Sequence, residues 1–272
     1  MIEEVHNNNL ERFAGFGELY DQNRPSTPQE VVDILSTYLR GNPQTVVDVG
    51  CGTGLSSFIW LNSSEHIIGF EPSDDMREVA LVKWEALGKP SNITFENRLS
   101  HELGLPTEST DIITCSQSFH WMEPHSTLHE FARVLRPGGI FAAYDYDWPP
   151  VCDWTVDERY QQLIAYADKR AAQLAPEGQR AHKWSKDEHL QRIQESGLFR
   201  FTREIVFHSW ELCDANRYAN IALSQGGLQT AIKLGAEELH SQVTQFRELV
   251  SKAFAGESRH ILFSYRMRLG IR

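Results

Sequence analysis

The sequence predicts an α/β protein built on a doubly wound, mainly parallel sheet. Three observations predict it. The apolar run Val46-Val47-Asp48-Val49 turns through Gly50-Cys51-Gly52-Thr53-Gly54 into a new segment, the pattern of a strand, a glycine turn and a helix start. Short apolar runs then alternate with amphipathic helical patterns as far as Tyr144, the order of parallel strands joined by crossover helices. The chain closes on Ile261, Phe263, Tyr265, Met267 and Leu269, the two-residue alternation of a strand.

Composition sets the outer limits. The 272 residues suffice for one large domain or a domain with an insertion. Hydrophobic residues at 41% and charged residues at 23% are ordinary for a soluble globular chain. No apolar run approaches a membrane span, and the acidic start Met1-Ile2-Glu3-Glu4 is unlike a secretory signal, so the cytoplasm is the expected compartment. Four scattered cysteines without a Cys-x-x-Cys pair indicate neither a disulfide framework nor a zinc site. The formal net charge of −11 argues against a nucleic-acid partner, since binding to phosphates rests on Lys and Arg. It favours a small-molecule substrate.

The elements follow in order. Leu10, Phe13, Phe16 and Tyr20 recur at helical spacing, and Tyr20-Asp21-Gln22-Asn23-Arg24-Pro25 ends that helix. Thr27-Pro28-Gln29-Glu30 reads as a capping box. The helix it opens carries Val31, Ile34, Leu35, Tyr38 and Leu39 on one face and stops at Gly41. Strand one covers residues 45–49, and a short helix with Leu55, Phe58, Ile59 and Leu61 follows the glycine turn. Strand two covers 67–70 and ends at Glu71, with Ser73 as a helix cap and Asp74 and Asp75 at the helix's positive end. Strand three covers 93–96, and strand four, 110–115, reads as buried on both faces. Leu128, Phe131, Ala132 and Leu135 mark a helix, which Arg136-Pro137-Gly138-Gly139 turns into strand five at 140–144. Val156, Tyr160, Leu163 and Ala167 then mark a long helix, broken at Ala175-Pro176-Glu177-Gly178. A helix at 186–195 leads to a strand near 199–212, and residues 214–255 read as helical with an interruption at Gly226-Gly227. The whole is expected to be one domain, 1–272, with a core at about 10–147 and helical lid insertions at about 148–185 and 213–257.

The glycine spacing selects the ligand. Gly50, Gly52 and Gly54 form Gly-x-Gly-x-Gly, not the dinucleotide Gly-x-Gly-x-x-Gly, and no Gly-Lys-Ser/Thr follows to make a P-loop. Asp48 precedes the turn by two residues. Glu71 stands 17 residues past Gly54, near the distance of a ribose-binding acid. Ser116-Gln117-Ser118-Phe119-His120-Trp121 follows strand four, at the sheet end where such folds place ligands. With the Leu135-Arg136-Pro137-Gly138-Gly139 turn, these features resemble the class I S-adenosylmethionine (SAM) dependent methyltransferases over about residues 10–145. They look closest to the small-molecule branch that includes trans-aconitate-type methyltransferases, where Phe-His-Trp after strand four is common.

The resemblance implies a Rossmann-like sheet of seven strands, five parallel plus an antiparallel edge pair, with helical lid insertions and SAM as cofactor. It implies that Gly50, Gly52 and Gly54 admit the methionyl and ribosyl parts, and that Glu71 holds the ribose hydroxyls. Asp48 orders the loop or accepts from the amino group. Leu99 and Ser100 would flank the adenine, although Ser100-His101 replaces the family's Ala-Glu. Ser116 lies near the methionyl end. Tyr20 and Arg24 either cover the pocket, as in the family's Tyr-Asp-x-x-Arg-Pro segment, or belong to an ordinary core-facing helix.

For the acceptor, His120 is the candidate base, since its unperturbed pKa is near neutrality; the alternative is that it only shapes the pocket or binds substrate. Phe119, Trp121, Tyr144, Tyr146 and Trp148 are candidates for an aromatic wall favouring a cationic group, each with plain packing as the alternative. His125 and His129 have metal-ligand spacing on a helix expected to face away from the cofactor, and no metal is expected. Asp145, Asp147 and Asp153 suit an amine; Arg266 and Arg268 suit a carboxylate. The expected function is methyl transfer from SAM to an oxygen or nitrogen of a small metabolite. The rivals are a non-catalytic SAM-binding regulatory module and a nicotinamide-dependent oxidoreductase, which the glycine spacing opposes.

Overall fold

The computed structural model of the chain describes residues 17–176 and 182–272. Leu10, Phe13, Phe16, Glu177 and Gly178 lie outside the described residues. The sheet has seven strands: β1 (Thr45–Val49), β2 (His66–Phe70), β3 (Ile93–Glu96), β4 (Thr110–Ser116), β5 (Leu135–Tyr146), β6 (Phe201–Cys213) and β7 (Arg259–Ile271). Their spatial order is β3-β2-β1-β4-β5-β7-β6. The first five run parallel, and β7 joins β5 and β6 antiparallel. The expected seven-stranded plan is present.

Two cores explain why the central strands read as nearly unbroken apolar runs. Alternate residues point to opposite faces. Val46, Ile112, Ile140 and Ala142 face one core, with Val31, Val32 and Leu35 of α2 (Glu30–Leu39). Val47, Ile113, Phe141 and Ala143 face the other, with Leu128, Phe131 and Val134 of α4 (Pro124–Val134) and Ile193 of α6 (His189–Glu195). The first core continues into α5 (Trp154–Leu174), α7 (Ala215–Leu223), α8 (Gly226–Lys233) and α9 (Glu238–Phe254). These helices fall in the two stretches expected as insertions, and they pack on each other. The remaining helices are α1 (Gly17–Asn23) and α3 (Asp74–Ala86). No helix among the described residues is long and apolar enough to cross a membrane.

Several local expectations are corrected. The capping box does not form: α2 starts at Glu30 after a helical Gln29 without a side-chain cap, and the Val31 N–H goes to Pro28 O. Arg40, not Gly41, takes the left-handed cap at φ 67°, while the Gly41 N–H reaches back to Ser36 O. Beyond the glycine turn the chain makes only a 3-10 turn, Phe58–Trp60, because the Ser56 and Ser57 hydroxyls are drawn back to Asp48. Ser73 is extended but makes no side-chain cap; its backbone N–H donates to Glu71 instead. Leu135 belongs to β5, which takes in Pro137-Gly138-Gly139 with a register shift opposite Thr110–Ile112. Gly226 and Gly227 open α8, and the break falls at Ser224-Gln225.

Phe141 is fully buried, its ring 5.0 Å from that of Phe131 and 5.2 Å from that of Phe119. Phe141→Ala should destabilise the chain by about 3–5 kcal/mol in urea unfolding. Phe201→Ala, at a ring 43% exposed, should stay within about 1 kcal/mol.

Candidate functional site

Asp48 is fully buried at the end of β1. Its carboxylate accepts from the Ser56 and Ser57 hydroxyls, both at 2.6 Å, and from Thr114 at 2.9 Å. Burial raises its pKa, and the three hydroxyls oppose the rise. Asp48 therefore ties the turn to β4 and does not line the cleft above it.

The turn over it is left-handed at Gly50 (φ 68°), Gly52 (φ 56°) and Gly54 (φ 80°), where a side chain would be strained. A Cβ on Gly50 would meet Ser118 Cβ at 2.6 Å, so the segment after β4 presses on the turn. A Cβ on Gly54 would meet Phe58 at 2.7 Å. At Gly52 nothing lies within 4 Å, and that face opens to the cleft.

Glu71, at the end of β2, holds the turn from the side. Its carboxylate accepts from the Gly52 N–H and the Ser73 N–H, both at 2.8 Å. Burial pushes its pKa up to about 7, with the Ser73 and Gly52 amides opposing. Each carboxylate oxygen keeps a lone pair for a ligand hydroxyl.

These groups wall a cleft with about 970 Å³ of empty space, including its open mouth. Of the residues expected from the sequence, Tyr20, Gly50, Gly52, Glu71, Leu99, Ser100, Ser116, Trp121 and Tyr146 line it. The Ser100 hydroxyl is turned to Thr127 at 2.8 Å. Arg24, Asp48, Gly54, Phe119, His120, Tyr144 and Trp148 lie outside the lining. Arg24 is held between the Tyr20 and Trp148 rings, 4.7 and 5.0 Å from their centroids, and donates to Ser224 O at 2.8 Å. The cation facing these two aromatic rings is thus the chain's own. Phe119 and Tyr144 are core residues.

Sequence reasoning missed Thr53, Pro72, Met76, Arg98, Gln117 and Met122 in the lining. Pro72 and Gln117 carried a usable signal, each directly following a strand-end residue already singled out. Met76 and Met122 carried none.

The lining fits a nucleoside with a polar tail. Pro72, Met76 and Leu99 give apolar surface, and Glu71 gives acceptors for hydroxyls. Thr53 Oγ1 and Gln117 Nε2 are buried without a hydrogen-bond partner among the described residues. Both groups are therefore available to a ligand in the cleft.

Beyond Tyr146 the site becomes charged. Asp145 is buried, with Lys186 Nζ at 2.7 Å, Arg268 at 3.4 Å, His120 Nδ1 at 3.6 Å and His189 Nε2 at 3.9 Å. Burial works to raise its pKa, but Lys186 and His120 outweigh it and hold the carboxyl below its usual range. Burial, aided by Lys186, takes His120 down to about 3, so its imidazole is neutral at pH 7. Arg268 also donates to Glu204 at 2.8 Å, and Arg266 forks onto Asp147. The acids proposed for an amine and the arginines proposed for a carboxylate therefore neutralise each other. Asp153 caps α5. The His125 and His129 rings lie 4.5 Å apart and tilted, and no group of three metal-ligating side chains occurs among the described residues.

Residues 47–143 match the protein family described as "Methyltransferase domain". A probable S-adenosylmethionine-dependent methyltransferase of Saccharomyces cerevisiae is 28% identical over 136 residues, which cover 50% of this chain and 47% of the yeast one. The chain spans about half the length of the curated relatives it matches. A candidate type II methyltransferase of Anaeromyxobacter dehalogenans shares the fold at TM-score 0.65 and 18% identity, over 91% of this chain and 97% of that one. Phosphoethanolamine N-methyltransferase 2 of Haemonchus contortus, solved with phosphomonomethylethanolamine and S-adenosylhomocysteine, shares it at TM-score 0.54 and 13% identity, over 94% and 56% of the two chains. Residues 47–143 thus match a methyltransferase domain, set in a seven-stranded sheet whose fold solved methyltransferases share.

Proposed function

We propose that the chain transfers a methyl group from SAM to an oxygen or nitrogen of a small metabolite, as in the trans-aconitate-type branch. The observation that carries the reading is that the glycine turn, Glu71, Leu99, Ser100 and Ser116 line the same cleft as Trp121 and Tyr146. On this reading the cofactor and acceptor ends adjoin in that cleft. SAM, when bound, supplies a methyl group on a sulfonium, open to in-line displacement. The protein's part is orientation, which lowers such a barrier by roughly 7–11 kcal/mol. Gly52 gives the close approach, Glu71 holds the ribose hydroxyls, and Tyr20 covers the site. The net charge of −11 supports a small acceptor over a nucleic acid. The four free cysteines suit the reducing cytoplasm.

His120 is the candidate base. It is neutral, it stands beside Asp145, and its ring is 4.8 Å from that of Trp121, which lines the cleft. So weak a base suits a hydroxyl acceptor, whose methylated oxygen is strongly acidic. It suits an ammonium poorly, because that proton has to leave before attack.

Labelled SAM incubated with the protein and metabolite extracts should label a small molecule, with mass spectrometry locating the methyl. Tight SAM binding without transfer to any acceptor would favour the regulatory module instead. His120→Gln should lower kcat by about 10²-fold or more with a hydroxyl acceptor. Unchanged turnover would point to a carboxylate, which has no proton to remove. Glu71 gives a pH test. Its pKa of about 7 should fall when ribose hydroxyls donate to the charged form, so binding releases a proton. S-adenosylhomocysteine should therefore bind more tightly as pH rises towards 7 and level off above it. In Glu71→Gln that slope should vanish and affinity should drop.

A further inference from the structure

We propose that the Gln117 side chain binds the carboxylate of the cofactor's amino-acid tail, with its amide held in one orientation by Lys186. The inference rests on the SAM reading above. Gln117 follows β4 with φ 54°, a left-handed conformation that costs free energy in a residue other than glycine. Its backbone N–H donates to Tyr144 O at 3.0 Å, so the residue is pinned to β5. The side chain therefore leaves from a fixed point.

Its Oε1 accepts from Lys186 Nζ at 2.7 Å. An ammonium donates and never accepts, so only the amide oxygen can face it. The NH₂ group is turned the other way by chemical necessity. That Nε2 is buried and has no hydrogen-bond partner among the described residues, while Gln117 lines the cleft. A buried donor left unpaired costs about 1–3 kcal/mol, and a ligand oxygen in the cleft would remove the cost.

Position selects which oxygen. Glu71 marks the ribose, and Leu99 and Ser100 mark the adenine. Gln117 adjoins Ser118, which presses on Gly50, so it lies on the β4 side of the turn, away from both. The amino-acid tail remains for this end. The tail offers a carboxylate and an ammonium, and an NH₂ donor selects the carboxylate. Lys186 is engaged with Asp145 as well, 2.7 Å from its Oδ1, and acts on the ligand through Gln117. It is a positioning residue, supplied by the chain beyond residue 147.

Calorimetric titration of the full chain tests this with two ligands. S-adenosylhomocysteine carries the tail; 5′-methylthioadenosine keeps the nucleoside and thioether without it. Gln117→Glu keeps an oxygen towards Lys186 but puts a second oxygen where the donor was. It should weaken S-adenosylhomocysteine at least about tenfold and leave 5′-methylthioadenosine within about twofold. Lys186→Met frees the amide to turn. It should weaken only the tailed ligand, and add little in the Gln117→Glu background. Tighter S-adenosylhomocysteine binding by Gln117→Glu would place the ammonium there and overturn the proposal. So would equal losses for both ligands, or no change in either. Wild-type protein that binds neither ligand would overturn the SAM reading together with this one, whereas effects absent only in the variants overturn this one alone.

Discussion

The cofactor half depends on one buried carboxylate. Asp48 is fully buried and has no cationic partner among the described residues; three hydroxyls satisfy it. Each hydroxyl comes from a different position, so the bonds fix the end of β1, the far side of the turn and β4 against each other. Losing one would leave a buried charge partly unpaired, a costly state. The left-handed backbone of the turn is held in place by that constraint. Glu71 completes it with the Gly52 N–H, so two carboxylates grip the turn from below and from the side. The glycines can then present bare backbone to a ligand, because the strain is carried by groups beneath them.

The charged cluster around Asp145 uses charge differently. Asp145 and Arg268 are both nearly inaccessible, and Lys186 and Glu204 balance them. Burying such a set costs solvation, which mutual pairing offsets. Its consequence is orientation. Strands β5, β6 and β7 and the segment around Lys186 are locked to one another, and His120 sits against the same carboxylate with its imidazole neutral. A charge already paired is poorly placed to select a substrate by simple attraction. On the proposed reading, acceptor choice then falls to shape and hydrogen bonding around Trp121 and Tyr146, which line the cleft.

The sheet was legible because its signal is repetitive and local. Val46 and Val47, or Ile112 and Ile113, announce a strand covered on both faces, and burial of both cores follows. The glycine turn and Glu71 were legible because spacing fixes their geometry. Details that depend on competition were not. Thr27-Pro28-Gln29-Glu30 has the composition of a capping box, yet the backbone starts its helix at Glu30. Leu55, Phe58, Ile59 and Leu61 have helical spacing, yet the pull of Asp48 on Ser56 and Ser57 leaves a single 3-10 turn. In both places tertiary hydrogen bonds or backbone geometry override local pattern.

The rest of the site was illegible for a reason that also bears on function. Its contacts join residues far apart in the chain: Lys186 to Gln117 across 69 positions, Arg268 to Asp145 across 123, and Arg24 to Ser224 across 200. No short motif encodes such pairs. The cofactor wall, by contrast, is built mostly from neighbours within β1, β2 and β4 and the turns that follow them. The cleft lining and the charged contacts beside it therefore answer to different stretches of sequence. Changes in the segments after Tyr146 leave the contacts of Asp48 and Glu71 with the glycine turn as they are. Gln117 stands at the join, fixed by β4 and β5 on one side and by Lys186 on the other. The orientation of the Gln117 amide therefore depends on the Lys186 segment through one hydrogen bond.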